Sequence, residues 1–455
     1  MVMTFRKFVA LVTTVASFAV APAVKAETLI DALTHAYEHS GLLEQNRALL
    51  RAADEDVAVA VSATLPVINW SATASYQNPR PPGADLITET ASISGQLTLY
   101  DGGANQFAID AQKEIVLATR QSLLNVEQQV LFRAVQAYMN VRRSLEFVAL
   151  RENNVRLITQ ELRAAEDRFD VGEVTRTDVS LAEARLASAR SLLASSQGDL
   201  ARSVEEYRAA VGRAPNQPAP VSPAPVSQSV AEAKAFAVRN HPSILEARHS
   251  VAAAEINILR SESATKPQVV LNGQVNVDDE FDFSRSLSVT ASGPIYAGGR
   301  LAAQTRQLMA RRDATRAGLH VTRHSIEQEV GNAFASLRAA MASRQASDQQ
   351  TRASTVAFRG VREEASLGSR TTLDVLNAEQ ELLDARANTI SAQADEVIAS
   401  YSVLLSMGLL TADHLRLPVQ VYDPSAYYNL VKDAPAARSE QGQALDRVLR
   451  AIGKE

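Results

Sequence analysis

The chain has 455 residues, a net charge of −5, 46% hydrophobic but only 5% aromatic residues, and no cysteine. That length allows several domains or one very elongated one. The acidic balance excludes a nucleic-acid footprint, and the lack of cysteine excludes acylation of a mature N-terminus on that residue. Much of the hydrophobic share is alanine, which suits closely packed helices better than a thick globular core.

Residues 1–26 read as a secretory signal. Arg6 and Lys7 form a basic start, Phe8 to Ala21 is apolar, and Val24-Lys25-Ala26 ends in small residues suited to cleavage before Glu27. No later segment approaches the ~18 uninterrupted apolar residues of a spanning helix, so membrane attachment must come from the fold.

The rest reads as two copies of one pattern. Tyr100-Asp-Gly-Gly103 recurs as Tyr296-Ala-Gly-Gly299, and Val171-Gly172 with Thr177-Asp178-Val179 recurs as Leu367-Gly368 with Leu373-Asp374-Val375. Both pairs sit about 196 positions apart. The copies span 27–214 and 229–412. The Pro-rich run 215–228 is an extended linker between them, and 413–455 is a polar tail with a short helix expected near Leu445–Ile452.

In each copy the predicted order is helix, two strands, long helix, tight turn, shorter helix. A helix is predicted over Leu29–Ser62, free of proline and rich in Ala, Leu, Glu and Arg. Its counterpart starts near Ser229 and ends before Lys266-Pro267. Strands are predicted over 66–76 and 90–99, then 268–277 and 286–296. Ile68, Trp70 and Ala72 alternate with Asn69, Ser71 and Thr73, and the other strands alternate in the same way. Period-two alternation gives each strand one apolar and one neutral polar face. About ten residues is the length of a tilted strand crossing a bilayer, with Trp70, Tyr76, Tyr100 and Tyr296 expected near the interfaces. The strands alone would also suit the edge of a soluble β-sandwich; but four strands cannot close a barrel, and open edges are not tolerated in lipid, so if they lie in a membrane several chains must share one barrel.

Long helices are predicted over 103–171 and 299–367, each about 68 residues or roughly 100 Å. The shorter helices, 177–211 and 372–408, follow the tight turns. In the last helix Leu376, Leu383, Ile390, Val397 and Leu404 recur every seven residues, a coiled-coil period.

Phe169-Asp-Val-Gly172-Glu-Val-Thr-Arg-Thr-Asp178-Val179 and Ser366-Leu-Gly368-Ser-Arg370-Thr-Thr-Leu-Asp374-Val375-Leu376 resemble the two helix–helix turns of the TolC-type outer-membrane efflux and type I secretion channels. The resemblance runs over about 29–424, with the repeat and the strand placement included. It implies an α+β membrane protein: a homotrimer with a 12-stranded transmembrane β-barrel, four strands per chain, continued by a periplasmic α-helical barrel. The implied role is a passive exit duct in the cell outer membrane, without cofactor or enzymatic activity. Its implied partners are a periplasmic adaptor protein, an inner-membrane transporter and the lipid bilayer.

The resemblance also implies site roles. Arg370 takes the position of an arginine that holds the closed end, and Asp374 that of a constriction aspartate. Thr177 and Asp178 match lock partners. Val171, Gly172, Glu173, Leu367, Gly368 and Ser369 match tips that meet adaptor hairpins. Three departures stand out: Ala365 replaces a lock tyrosine, Asn377 replaces a second constriction aspartate, and Glu173 replaces an apolar tip residue. From the residues themselves, Gly172 and Gly368 suit the positive φ that follows a helix end. Three Asp374 carboxylates around an axis would raise one another's pKa and attract cations; Asp178 and Asp374 would equally favour a helix N-terminus.

Other chemistry finds little support. His35-Ala-Tyr-Glu38-His39 matches a zinc-protease pattern but suggests no third ligand. His320 and His324, four apart, read as a solvated face. The Gly-Gly pairs lack the Gly-Lys-Ser/Thr element of a phosphate loop. The alternative to a duct is a structural or adhesive trimeric coiled coil on the cell surface, against which the half-polar strand pairs argue.

Overall fold

The computed structural model describes residues 26–79, 82 and 86–452; residues 1–25 of the expected signal segment lie outside them. Each copy opens with two helices where one was predicted. In the first copy α1 (Leu29–His39) and α2 (Gly41–Ser62) meet at Ser40, whose side chain accepts from the Leu43 N–H and so starts a new helix. In the second, α5 (Val230–Asn240) and α6 (Pro242–Ser263) meet at His241. Pro242 has no N–H to continue α5, but it fits the first turn of α6, and the residue before a proline is driven to extended backbone. His241 obeys, at φ −64° and ψ 130°.

The strands are β1 (Val67–Tyr76), β2 (Ile87–Tyr100), β3 (Gln268–Asp278) and β4 (Phe283–Ser292). The predicted last strand ran to Tyr296; Gly293-Pro294 stops it early, because proline cannot donate to the ladder. All neighbours are antiparallel in the order β1-β2-β3-β4, so the second strand of one copy pairs with the first of the other. The register sorts the side chains. Ile68, Gly95, Gly273 and Leu287 form one cross-strand row, and Trp70, Ile93, Val275 and Arg285 the next. Ser71, Ser92, Asn276 and Ser284 form a row on the opposite face, tied by Ser71–Ser92 at 2.7 Å and by Asn276 donating to Ser284 at 3.2 Å. Tyr76 and Tyr100 end their strands, whereas Trp70 lies inside β1 and Tyr296 beyond β4.

Among the described residues no helix packs on either face of this sheet. Trp70 is 81% exposed and Leu287 77%, and β1 and β4 are open edges. A soluble domain would bury such an apolar face.

Below the sheet run the long helices α3 (Ala104–Asp170) and α7 (Arg300–Ser366), 67 residues each, or roughly 100 Å. Each returns as a shorter helix, α4 (Arg176–Val211) and α8 (Thr372–Ser406). α3 packs on α2, α4, α6 and α8, and α7 packs on α5, α6 and α8. Along the layer the sequence is therefore the α2 and α4 pair, then α3, then the α6 and α8 pair, then α7. The heptad stripe of α8 faces inward: Leu376, Leu383, Val397 and Leu404 are buried.

The main core lies midway along the helices, where α1 and the chain after α8 wrap α3. Leu33, Leu43, Leu131 and Tyr138 are fully buried there. The tail is more than polar filler. It forms α9 (Pro424–Val431) and α10 (Glu440–Ile452), and Tyr427 and Val431 of α9 pack on Ala58 of α2.

Candidate functional site at the helix tips

The α3–α4 and α7–α8 turns share one pattern of backbone hydrogen bonds. Gly172 has φ +82° and Gly368 φ +79°, a conformation glycine adopts without the strain a Cβ brings. The Gly172 N–H donates to Phe169 O at 2.9 Å and the Glu173 N–H to Arg168 O at 2.9 Å; Gly368 donates to Ala365 O at 3.0 Å and Ser369 to Glu364 O at 3.0 Å. The last carbonyls of each long helix are thereby satisfied. Among the described residues nothing covers the apices: Val171 is 71% and Leu367 81% exposed.

Each returning helix begins on a capping box. The Asp178 carboxylate accepts from the Thr175 N–H at 2.9 Å and its hydroxyl at 2.7 Å. The Asp374 carboxylate accepts from the Thr371 N–H at 2.9 Å and its hydroxyl at 2.9 Å. These donors hold both carboxyls below the usual carboxylate range: for Asp178 the Thr175 hydroxyl contributes most, for Asp374 the Thr371 N–H. Within one chain the aspartates are therefore firmly ionised. The upward push expected of a carboxylate ring has no counterpart within one chain, where among the described residues no second carboxylate contributes to either shift.

The two turns flank one cleft of about 740 Å³, which Asp178 and Arg370 both line, with Arg168 and Arg362. Arg370 does not reach Thr177 or Asp178. Its Nε donates to Glu364 of its own hairpin at 2.8 Å. Thr177 is exposed on the first turn of α4. Asn377 reaches across the copies, accepting from Arg185 of α4 at 3.4 Å. The structure thus gathers Asp178 and Arg370 around one cleft, sets Asp374 and Asn377 on the start of α8, and leaves the tip residues at two separate apices.

One group escaped the sequence reading. Glu379 on α8 is 4% exposed, and Asn154 of α3 donates to its Oε1 at 2.7 Å. Its other oxygen has no hydrogen-bond partner among the described residues. Burial pushes its carboxyl up to about 7, with Asn154 pulling the other way. The signal was present: Glu379 follows Leu376 by three residues and precedes Leu383 by four, which puts an acid on the apolar stripe.

The zinc-like pattern on α1 brings donor atoms of His35, Glu38 and His39 within 4.8 Å of one another. Arg213, however, donates directly to the Nε2 of His35. A fixed cation at that nitrogen opposes a metal ion, and we assign no metal centre there.

Comparison with known proteins places these features in a family. The model of the outer membrane efflux protein family matches residues 32–213 and 236–409, two separate stretches of the chain. The outer membrane efflux protein BepC of Brucella suis is 37% identical over 423 residues, covering 90% of this chain and 92% of its own. The outer membrane protein TolC of Vibrio cholerae is 26% identical over 412 residues, 86% of this chain and 92% of its own. Among solved structures, the Campylobacter jejuni CmeC outer membrane channel shares the fold with a TM-score of 0.75 at 14% identity, covering 90% of each chain.

Proposed function

The chain belongs to the outer membrane efflux protein family and is an outer-membrane transport channel rather than an enzyme, and we propose that it works as a passive, trimeric exit duct gated at its helix tips. The observation that supports this best is the uncovered sheet. Four strands with two open edges, mostly apolar on one face and lined mainly with Ser, Thr, Asn and Gln on the other, satisfy their backbone in lipid only when closed into a ring. Three chains supply twelve strands, enough for a barrel with a wet lumen. The polar rows then line the lumen and the Trp70–Ile93–Val275 row faces lipid. Arg285 ends that row near the loop side, where a long side chain can reach the headgroups.

In this reading residues 1–26 are removed on export, and α3, α4, α7 and α8 continue the lumen into the periplasm. Arg370, Asp374, Thr177, Asp178 and Asn377 surround the constricted end. The exposed apices, Val171-Gly172-Glu173 and Leu367-Gly368-Ser369, receive a periplasmic adaptor, which links the duct to an inner-membrane transporter. The duct performs no chemistry; the transporter supplies energy, and the tips decide whether the path is open. Solute either escapes or is held according to the distance between the two hairpins of each chain. A structural or adhesive coiled coil has no use for a half-polar sheet of bilayer height.

Reconstitution of the purified protein in planar bilayers tests the reading. Discrete conductance steps are expected. A protein that enters the bilayer and passes no ions is not a duct.

A further inference from the structure

We propose that Asn154 and Glu379 form a proton-operated tie between the two repeats, which holds the hairpin tips together when Glu379 carries its proton and lets them part when it is charged. This rests on the gate reading above and adds its regulation.

The geometry comes first. α3 belongs to the first copy and α8 to the second, and the Asn154–Glu379 hydrogen bond at 2.7 Å crosses between them. Glu379 lies seven residues inside the start of α8, about 10 Å along the helix from that start. Separating the hairpins at their tips would break this bond and wet the carboxylate. The surroundings are mostly dry: Leu382 and Val375 of α8 cluster with Phe358 of α7 and Leu157 of α3.

The charges facing Glu379 come from three helices. Glu161 of α3 adds a negative charge, which disfavours ionisation; Arg362 of α7 and Arg185 of α4 favour it. Neither guanidinium is bonded to Glu379. Arg362 pairs with Glu161 at 3.6 Å, and Arg185 donates to Asn377 at 3.4 Å. A buried carboxylate with one bare oxygen and no dedicated cation is costly when charged, and much less so when neutral.

The sign follows. In the closed seam the carboxyl titrates near 7; once wetted, a glutamate returns to about 4.3. Between those values the closed form holds more protons than the open one. Acidification through that window therefore favours closed tips, and raising the pH through it towards 7 favours parting.

The test reads tip separation directly. The chain has no cysteine, so Glu173→Cys and Ser369→Cys take spin labels at the two apices of the full-length trimer. Distance distributions are recorded from pH 8 to pH 5.5. We expect the ratio of close to splayed tips to rise at least tenfold on acidification, with the rise beginning near pH 7 and continuing down to pH 5.5. In Glu379→Gln, whose amide imitates the protonated acid without bulk change, close tips should prevail throughout. Asn154→Ala should raise the splayed fraction at every pH. The tie is overturned if the parent shows no response, or if Glu379→Gln responds as the parent does. Tips that respond to pH in a protein without conductance would leave the tie standing and remove the duct reading instead.

Discussion

The Tyr207 hydroxyl donates to the Glu27 carboxylate at 2.6 Å, across a separation of 180 residues. Arg213 approaches the same oxygen at 2.6 Å, and the Asn216 N–H donates to the other at 2.7 Å. Glu27 is 4% exposed, and Tyr138 places its hydroxyl 2.8 Å from the Glu27 carbonyl. The residue expected to begin the mature chain is thus locked against the end of α4 and the start of the linker. Glu27→Ala should be strongly destabilising, since it leaves Tyr207 and Arg213 without their shared acceptor. Tyr207→Phe should cost less, about 2 kcal/mol, the worth of one hydrogen bond to a charged group. Thermal melts of the detergent-solubilised protein give the order.

Asp54 of α2 is fully buried, and neither oxygen has a hydrogen-bond partner among the described residues. Burial raises its carboxyl to about 6, Arg120 opposing. The folded protein therefore holds a proton that the unfolded chain gives up between about pH 4 and 6, and stability falls as pH rises through that window. Asp54→Asn should flatten this dependence and raise the melting temperature at pH 7.5. A lower melting temperature for the amide at that pH would show the charge to be stabilising.

Asp374 combines a cap with a charge. Asp374→Ala removes both, at about 1 kcal/mol for the cap; Asp374→Asn keeps an oxygen for the Thr371 donors and removes only the charge. If the carboxylates attract cations at the constriction, both variants should weaken block by multivalent cations in planar bilayers by a similar factor. Loss confined to Asp374→Ala would trace the effect to helix fraying.

Gly172→Ala and Gly368→Ala test the turns. Both positions have open space around a new Cβ and positive φ, so only backbone strain is added, about 1 kcal/mol each. Hydrogen exchange should speed up in the last turns of α3 or α7, with the melting temperature nearly unchanged because the core lies far away.

How far the sequence reveals these features depends on how local the physics is. The turns were legible because Gly172, Thr175 and Asp178 act within a few residues of one another, and the strands because alternation is a property of neighbours. The split at Ser40 was missed because a serine followed by glycine costs an Ala-rich helix little on paper; what decides it is the packing of α1 and α2 against α3. The matching split at His241 also goes beyond the single predicted helix, although Pro242 marks it locally. β4 ended early for a local reason, Pro294. The place of Glu379 on the apolar stripe of α8 was legible, but its partner Asn154 was not, because α3 arrives from far along the chain. The contact of α9 with α2 is of the same kind. The partner of Arg370 shows the remaining limit: proximity on a tip does not say which hairpin a guanidinium will serve, and within the chain it serves Glu364.

The most direct test is the mass of the purified mature protein in detergent, measured with the detergent contribution subtracted. Twelve strands closing one barrel require three chains per particle, resistant to dilution. A monodisperse single chain that stays in solution without detergent would contradict the shared barrel and everything built on it.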